Sequence, residues 1–592
     1  MKLTGFLFAA ALLGSCTQPA AEENYTRHVD PKIGTGGHGH VFVGANVPFG
    51  LVQVGPTSIP QTWDWCSGYH ASDSTVIGFS HTHLSGTGIG DLFDVTVMPV
   101  TGDVTYARGE EADPASGLWS YADRTQEIAR PGYYSVPLTR YGIRAELTAT
   151  ARVGLHRYTF PASEKAAVVF DLENGGCWDK ATETHLAKEG DRTVTGWRHS
   201  TGWAKDQRVY FVAEFSKAFE KFETIGDNYA RASFRTTDGE QVSLKVALSP
   251  VSVEGARENL AAELPGWDFE ETAKAADKAW NDELSKVKIE TADETARRIF
   301  YTALYHTMIA PSLFCDVNGD YYGSDHAIHR NADFTNYTTF SLWDTYRAAM
   351  PLMTVLHPEK MADIVQTMLT ISDEQGRLPV WHLWGNETDC MVGNPGIVAV
   401  ADAIVKGIGG FDREKAFEAI RKTAMNPDRG NGLRMEYGYI PCEMFNEAVA
   451  YDMEYALADG AAARAAETLG KAEDAKYFEE RSHSYRNYFD PATRFMRGRD
   501  SRKGWRTPFN AFASTHRADD YCEGNAWQYT WLAPHDVKGL EGLFGSRAKM
   551  IEKLDSLFTV SSVIEGGETS PDISGLIGQY AHANEPSHHI LY

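Results

Sequence analysis

Six short segments of this chain carry polar groups among tryptophans and glycines, the raw material of a site for polyhydroxylated ligands. They are Trp63–Tyr69 (WDWCSGY), Gly78–Gly88 (GFSHTHLSGTG), Ser341–Arg347 (SLWDTYR), Gly385–Met391 (GNETDCM), Glu523–Tyr529 (EGNAWQY) and His582–His589 (HANEPSHH). Carboxylates hydrogen-bond hydroxyls and move protons, aromatic rings stack on sugar faces, and glycine turns bring the two together. Taken singly, each acid is better explained as a helix cap or half of a buried ion pair. Recurrence of the pattern is what turns the reading toward function.

Other chemistries fit less well. Gly34–Gly39 (GTGGHG) matches a dinucleotide fingerprint on paper, but His40-Val41-Phe42-Val43 and Pro48-Phe49-Gly50 follow it and do not make the helix that motif needs. Neither a GxSxG elbow nor an HExxH helix is present. His38 and His40, like His81 and His83, would share a strand face, yet no third ligand of matching spacing accompanies them. Structural or hydroxyl-binding roles suit these histidines better than metal.

Two kinds of element must position the clusters. Val242, Leu244, Val246 and Leu248 alternate with period two, and Val168–Leu172 and Val209–Phe215 are short β-branched and aromatic runs. Up to about Leu260 the pattern is that of a β-sandwich. After Pro265 the period changes: Phe269, Ala273, Ala276, Trp280 and Leu284 form one apolar helix face over Asp268–Ser285. An Ala-rich helical stretch from Ala448 to Leu469, closed by Gly470, is the clearest of several later helices. No fixed repeat is visible, which favours a toroid of paired helices over a regular array.

The chain has 592 residues, 43% hydrophobic and 12% aromatic, enough for more than one sizeable core. Its 56 basic and 80 acidic side chains give a net charge of −24, which excludes nucleic acid and anionic lipid surfaces as partners. Lys2, the apolar Phe6–Leu13 and the small exit Leu13-Gly14-Ser15-Cys16 resemble a bacterial lipoprotein signal with Cys16 as the lipidated residue. The other six cysteines are scattered and read as buried small hydrophobes.

The same segments resemble the signatures of glycoside hydrolase family 92, the calcium-dependent exo-α-mannosidases of gut Bacteroidetes. GFSHTHLSGTG, FSLWDTYRA, GNETDCM, EGNAWQYTW and IGQYAHANEPSHH carry the resemblance, which runs from about Asp30 to Tyr592. It implies an N-terminal β-sandwich, a helical linker and an (α/α)6 toroid, with the active site between the domains. We divide the chain into a signal and tether (1–23), a β-sandwich (24–262), a linker (263–290) and a catalytic toroid (291–592).

The resemblance makes Glu523 the general acid, and Asn584 and Glu585 the calcium ligands. Trp343 and Asp344 would contact the terminal mannose, Trp65 and His582 the leaving group, and Trp384, Asn386 and Glu387 a subsite or its frame. Ala583 replaces a Glu associated with α-1,2 linkages. The implied general base belongs to a GN-acid-Asp-x-GQ segment downstream of NEPSHH, beyond Tyr592. The sequence therefore reads as C-terminally truncated, with the toroid incomplete.

The expected protein is a monomeric, inverting, calcium-assisted mannosidase acting on mannan or N-glycan ends. It would be exported and lipid-anchored, periplasmic or on the outer-membrane surface of a Gram-negative cell. The alternative is a glycan-binding lipoprotein without catalysis, and a phosphorylase on the same fold is a third reading.

Overall fold

The structure is a computed structural model describing residues 23–113 and 115–592. Cys16 and the signal-like segment lie outside the described residues.

Two antiparallel sheets face each other in the N-terminal half. The eight-stranded sheet runs in the order Lys180–Glu189, Thr193–Thr201, Gln207–Phe215, Glu240–Ser249, Val153–Phe160, Ile143–Ala149, Tyr133–Leu138 and Ile128–Arg130. The six-stranded sheet sets Thr96–Thr101 beside Ser163–Asp171 at its centre. Alternate residues point inward, so Leu244 and Val246 meet Val168, Phe170, Tyr158 and Phe211 in one core. The predicted sandwich is present, and the alternation at Val242–Leu248 is its innermost strand.

The helix Val253–Glu263 covers part of the larger sheet, burying Ala256 and Leu260 against Val153, Leu155 and Val212. Phe269–Leu284 follows, capped by Asp268, with Phe269, Ala276, Trp280 and Leu284 buried as their spacing predicts.

The C-terminal half is helical. Pro395–Val405 and Ala448–Thr468 are apolar nearly all round and buried, whereas Arg413–Ala424 and Ala472–Arg481 are amphipathic and pack outside them. Inner and outer helices thus alternate in pairs, without closing into a barrel among the described residues. Alanine lets the inner helices approach closely: Ala458, Ala462, Ala463, Ala465 and Ala466 all lie in this core. No helix among the described residues is long and apolar enough to cross a membrane.

The domains are stitched together by Asn386, whose Oδ1 accepts from Asp206 N at 3.0 Å and whose Nδ2 donates to Asp206 O at 2.9 Å.

Candidate active site

Glu523 sits at the turn before the short helix Ala526–Tyr529, in a left-handed conformation with φ 46°. A non-glycine residue held there costs roughly 1–3 kcal/mol, so its surroundings must fix it. Asn525 caps the helix, its Oδ1 accepting from Trp527 N at 3.0 Å, while Gln528 Oε1 accepts from Asn525 N at 2.7 Å. Asn525 Nδ2 then donates to Oε1 of the fully buried Gln579 at 2.9 Å. Gln579 Nε2 donates in turn to Ser561 O at 2.7 Å and Val563 O at 3.0 Å. Asn584 closes the ring of contacts by donating Nδ2 to Glu523 O. The acid's segment and the NEPSHH segment are therefore one buried hydrogen-bonded unit.

A second unit places Asp344. Trp343 and Asp344 are successive residues of the helix Leu342–Thr345, so their side chains diverge by about 100°. Trp343 goes to the core and donates Nε1 to Glu454 Oε1 at 3.0 Å. Tyr346 OH reaches Glu454 Oε2 at 2.8 Å, and Arg347 Nη2 reaches Oε1 at 2.7 Å. With its neighbours pinned to this carboxylate, Asp344 is left facing the cleft, where Ser341 Oγ donates to its Oδ2.

The cleft holds about 730 Å³ and is walled by both domains. From the sandwich come Trp63, Ser85–Ile89, Trp178 and Trp203; from the helical half come His306, Asp344, Trp381, Glu523, Asp572 and Glu585. Trp203 and Trp381 meet edge to face at 5.1 Å across the domain boundary. Trp63 donates Nε1 to Gly88 O at 2.9 Å, and a Cβ at Gly88 would lie 2.5 Å from its ring, so only glycine admits this approach.

Crowded carboxylates set the electrostatics. Burial, then the fields of Asp572, Glu585 and Asp344, pushes the Glu523 carboxyl well above its ordinary range. Glu585 is raised to about 8, by burial first and Asp344 second. Asp344 is raised to about 6 by burial, against the Ser341 hydrogen bond and the Arg347 charge. A carboxyl that keeps its proton near neutrality is a proton donor. Asn584 Oδ1 is buried without a hydrogen-bond partner beside these acids. An unpaired oxygen donor next to carboxylates is what a hard divalent cation takes, so Asn584 and Glu585 fit calcium chemically.

Of the residues expected from sequence, the cleft brings together Asp344, Glu523 and Glu585, with Asn584 directly behind Glu523. Trp65 does not line it: its Nε1 donates to Asp73 Oδ2 at 2.7 Å and its ring stacks on His70. Trp343 serves Glu454, and Trp384 packs on Phe314 in the sandwich-side core. Asn386 is the domain stitch. Glu387 accepts from Val380 N at 2.8 Å and Trp381 N at 2.9 Å, framing the strand that carries Trp381 into the cleft. His582 is exposed, pairs with Tyr580 OH at 3.0 Å, and borders a separate groove of about 1230 Å³ with His588 and His589.

The sequence reading missed Trp63, Trp178, Trp203, Trp381, His306 and Asp572. Trp63 lay within the motif that was picked, two residues from Trp65. Asp572, in Ser570-Pro571-Asp572, has no aromatic neighbour to mark it. Outside the cleft, Asp325, His329 and Glu374 set one ligand atom each within 4.8 Å of one another, a second grouping compatible with a cation.

A buried carboxyl pushed well above its ordinary range, set among other carboxylates in a tryptophan-walled cleft between a sandwich and paired helices, suits cleavage of a glycosidic bond. The match to known proteins gives the particular kind: residues 28–249 correspond to the Glycosyl hydrolase family 92 N-terminal domain and residues 255–592 to its catalytic domain. The chain belongs to that family and is an α-mannosidase-type glycoside hydrolase. It is 39% identical to a family 92 α-mannosidase of Bacteroides thetaiotaomicron solved with mannoimidazole, over 96% of this chain and 78% of that one, with a TM-score of 0.92. A family 92 inverting mannosidase of the same organism is 29% identical over 92% of this chain and 76% of that one, with a TM-score of 0.82. An uncharacterized secreted glycosidase of Arthroderma benhamiae is 26% identical over 95% of this chain and 78% of its own length.

Proposed function

We propose that this α-mannosidase removes terminal α-linked mannose from mannan or N-glycan chains with inversion and with calcium as its cofactor. The observation carrying the reading is Glu523 in a tryptophan-walled cleft with Asp344, Asp572 and Glu585, its carboxyl pushed well above the ordinary range by burial first and by those neighbours next.

In this reading Glu523 gives its proton to the departing glycosidic oxygen as the bond to the sugar breaks. Asp344 and Asp572 accept hydrogen bonds from sugar hydroxyls and offset the positive charge that develops on the ring. Trp63, Trp178 and Trp203 stack against the sugars on the leaving side. Asn584 Oδ1 and Glu585 would hold the cation, which when bound would supply a positive charge that attracts sugar hydroxyls. Asp344, raised to about 6 and accepting a hydrogen bond from Ser341, presents its carboxyl to the cleft. Export and anchoring through Cys16 complete the reading.

Proton NMR of the first product tests it. β-Mannose is expected, and a first-formed α-anomer would refute inversion. Glu523→Gln should lower turnover of natural linkages by about 10²–10⁴-fold. A chain that binds mannosides with no turnover for that substitution to remove would favour a purely glycan-binding role.

A further inference from the structure

One polar side chain of the cleft has a buried nitrogen that no group of the protein pairs with. His306 ends the helix Glu294–His306 and lines the cleft beside Thr307, Thr339 and Thr345. Those three hydroxyls are engaged within the protein: Thr307 donates to Leu304 O at 2.7 Å, Thr345 to Ser341 O at 2.8 Å, and Thr339 pairs with Ser312 at 3.4 Å. His306 differs. Neither ring nitrogen has a hydrogen-bond partner in the protein: Nε2 is closed off from solvent, while the ring as a whole is only partly buried and borders the cleft. An imidazole at the cleft wall whose ring nitrogens take no partner from the protein is open to a ligand hydroxyl.

Burial pushes this imidazole down to about 4, so it is neutral near pH 7. A neutral imidazole carries one donor and one acceptor, which matches a hydroxyl, itself donor and acceptor at once. It also adds no cation that would draw the proton from the neighbouring acids. Among the described residues that line the cleft, His306 alone carries a buried polar side-chain atom with no hydrogen-bond partner.

We propose that His306 is a substrate-binding, specificity-determining residue that hydrogen-bonds one hydroxyl of the mannose bound in the cleft. The assignment rests on the mannosidase reading and extends it to a residue outside the expected set. A site built to pair with a hydroxyl rejects the analogue lacking it, because the protein group is then stranded.

The test is kcat/KM for the parent, His306→Leu and His306→Gln on an aryl α-mannoside and its mono-deoxy analogues. His306→Leu should lose about 5- to 100-fold on the parent sugar. One deoxy analogue should be turned over equally by parent and His306→Leu, since the hydroxyl concerned is already gone. His306→Gln should recover part of the loss on the full sugar. A loss of equal size on every analogue, or no loss at all, overturns the proposal.

If the parent turns over no mannoside, the hydrolytic reading fails by itself. Tryptophan-fluorescence titration with mannoimidazole then decides about His306 separately. Weaker binding by His306→Leu, recovered in part by His306→Gln, supports the role, and unchanged binding refutes it.

Discussion

Glu454 is the residue whose loss should reveal how Asp344 is positioned. It lies in the Ala-rich helix, far from the cleft-lining residues in sequence, and takes hydrogen bonds from Trp343, Tyr346 and Arg347 at 3.0, 2.8 and 2.7 Å. The side chains of Arg347 and Glu454 are 8% and 4% exposed, so their charges are paired away from water. Glu454→Gln keeps the shape but removes the charge and turns one acceptor into a donor facing donors. Breaking a buried pair this way costs about 3–5 kcal/mol, because Arg347 stays charged without its partner. With roughly 0.7 kcal/mol of unfolding entropy per degree for a helical domain of this size, the melting temperature should fall by about 5 °C. Asp344 would lose its fixed neighbours, and a misplacement near 1 Å costs about 10²-fold in kcat. Circular-dichroism melting and initial rates on an aryl α-mannoside read both effects. Pairing Glu454→Leu with Arg347→Met should recover part of the stability but not the activity. The reasoning is refuted by a Glu454→Gln variant that melts within about 1 °C of the parent and keeps its kcat.

Two further outcomes are expected. Chelation should silence the parent and calcium should restore it, whereas Asn584→Ala, lacking both the unpaired oxygen and the amide that holds Glu523 O, should bind the ion at least about tenfold more weakly, read by calorimetry. The sandwich should also be acid-labile. Burial lowers His81 to about 3, His83 to about 4 and His156 well below the usual value. Their folded values are depressed, so the stability they contribute is complete above about 6.5 and is lost as pH falls toward 4, each proton adding about 1.4 kcal/mol per pH unit. Asp179, raised to about 6, opposes this over part of the window. Urea midpoints of the sandwich transition should drop between pH 7 and 4.5, and a flat profile would count against the neutral buried histidines.

The fold was largely legible because periodicity reports which face is buried. Val242–Leu248 and Phe269–Leu284 lie where alternation and helical spacing put them, and Ala448–Thr468 ends one residue short of the predicted Leu469. The acids Glu523, Asp344 and Glu585 were legible because glycine, tryptophan and asparagine neighbours marked them. The tryptophans were not. An aromatic beside an acid tells that a turn or helix carries both, but not which of the two points to the core: Trp343 is buried while Asp344 faces the cleft, and Trp63 lines the cleft where Trp65 was expected. Glu454 and Gln579, which hold the site, looked like ordinary helix and loop residues, since buried hydrogen-bond partners leave no mark in local sequence.

Gln579 has a consequence for how the site would respond to its ligands. It joins the segment of Glu523, through Asn525 and Gln528, to the strand leading into Asn584 and Glu585. If Asn584 holds a cation and Glu523 is the proton donor, as proposed, an ion that steadied Asn584 would also steady the backbone of Glu523, and a sugar engaging Glu523 would steady the cation's cradle. Thermodynamic reciprocity then requires each to tighten the other by the same factor. Ion and glycan would be cooperative ligands of one rigid peptide knot, and the apparent calcium affinity would rise with the mannoside present.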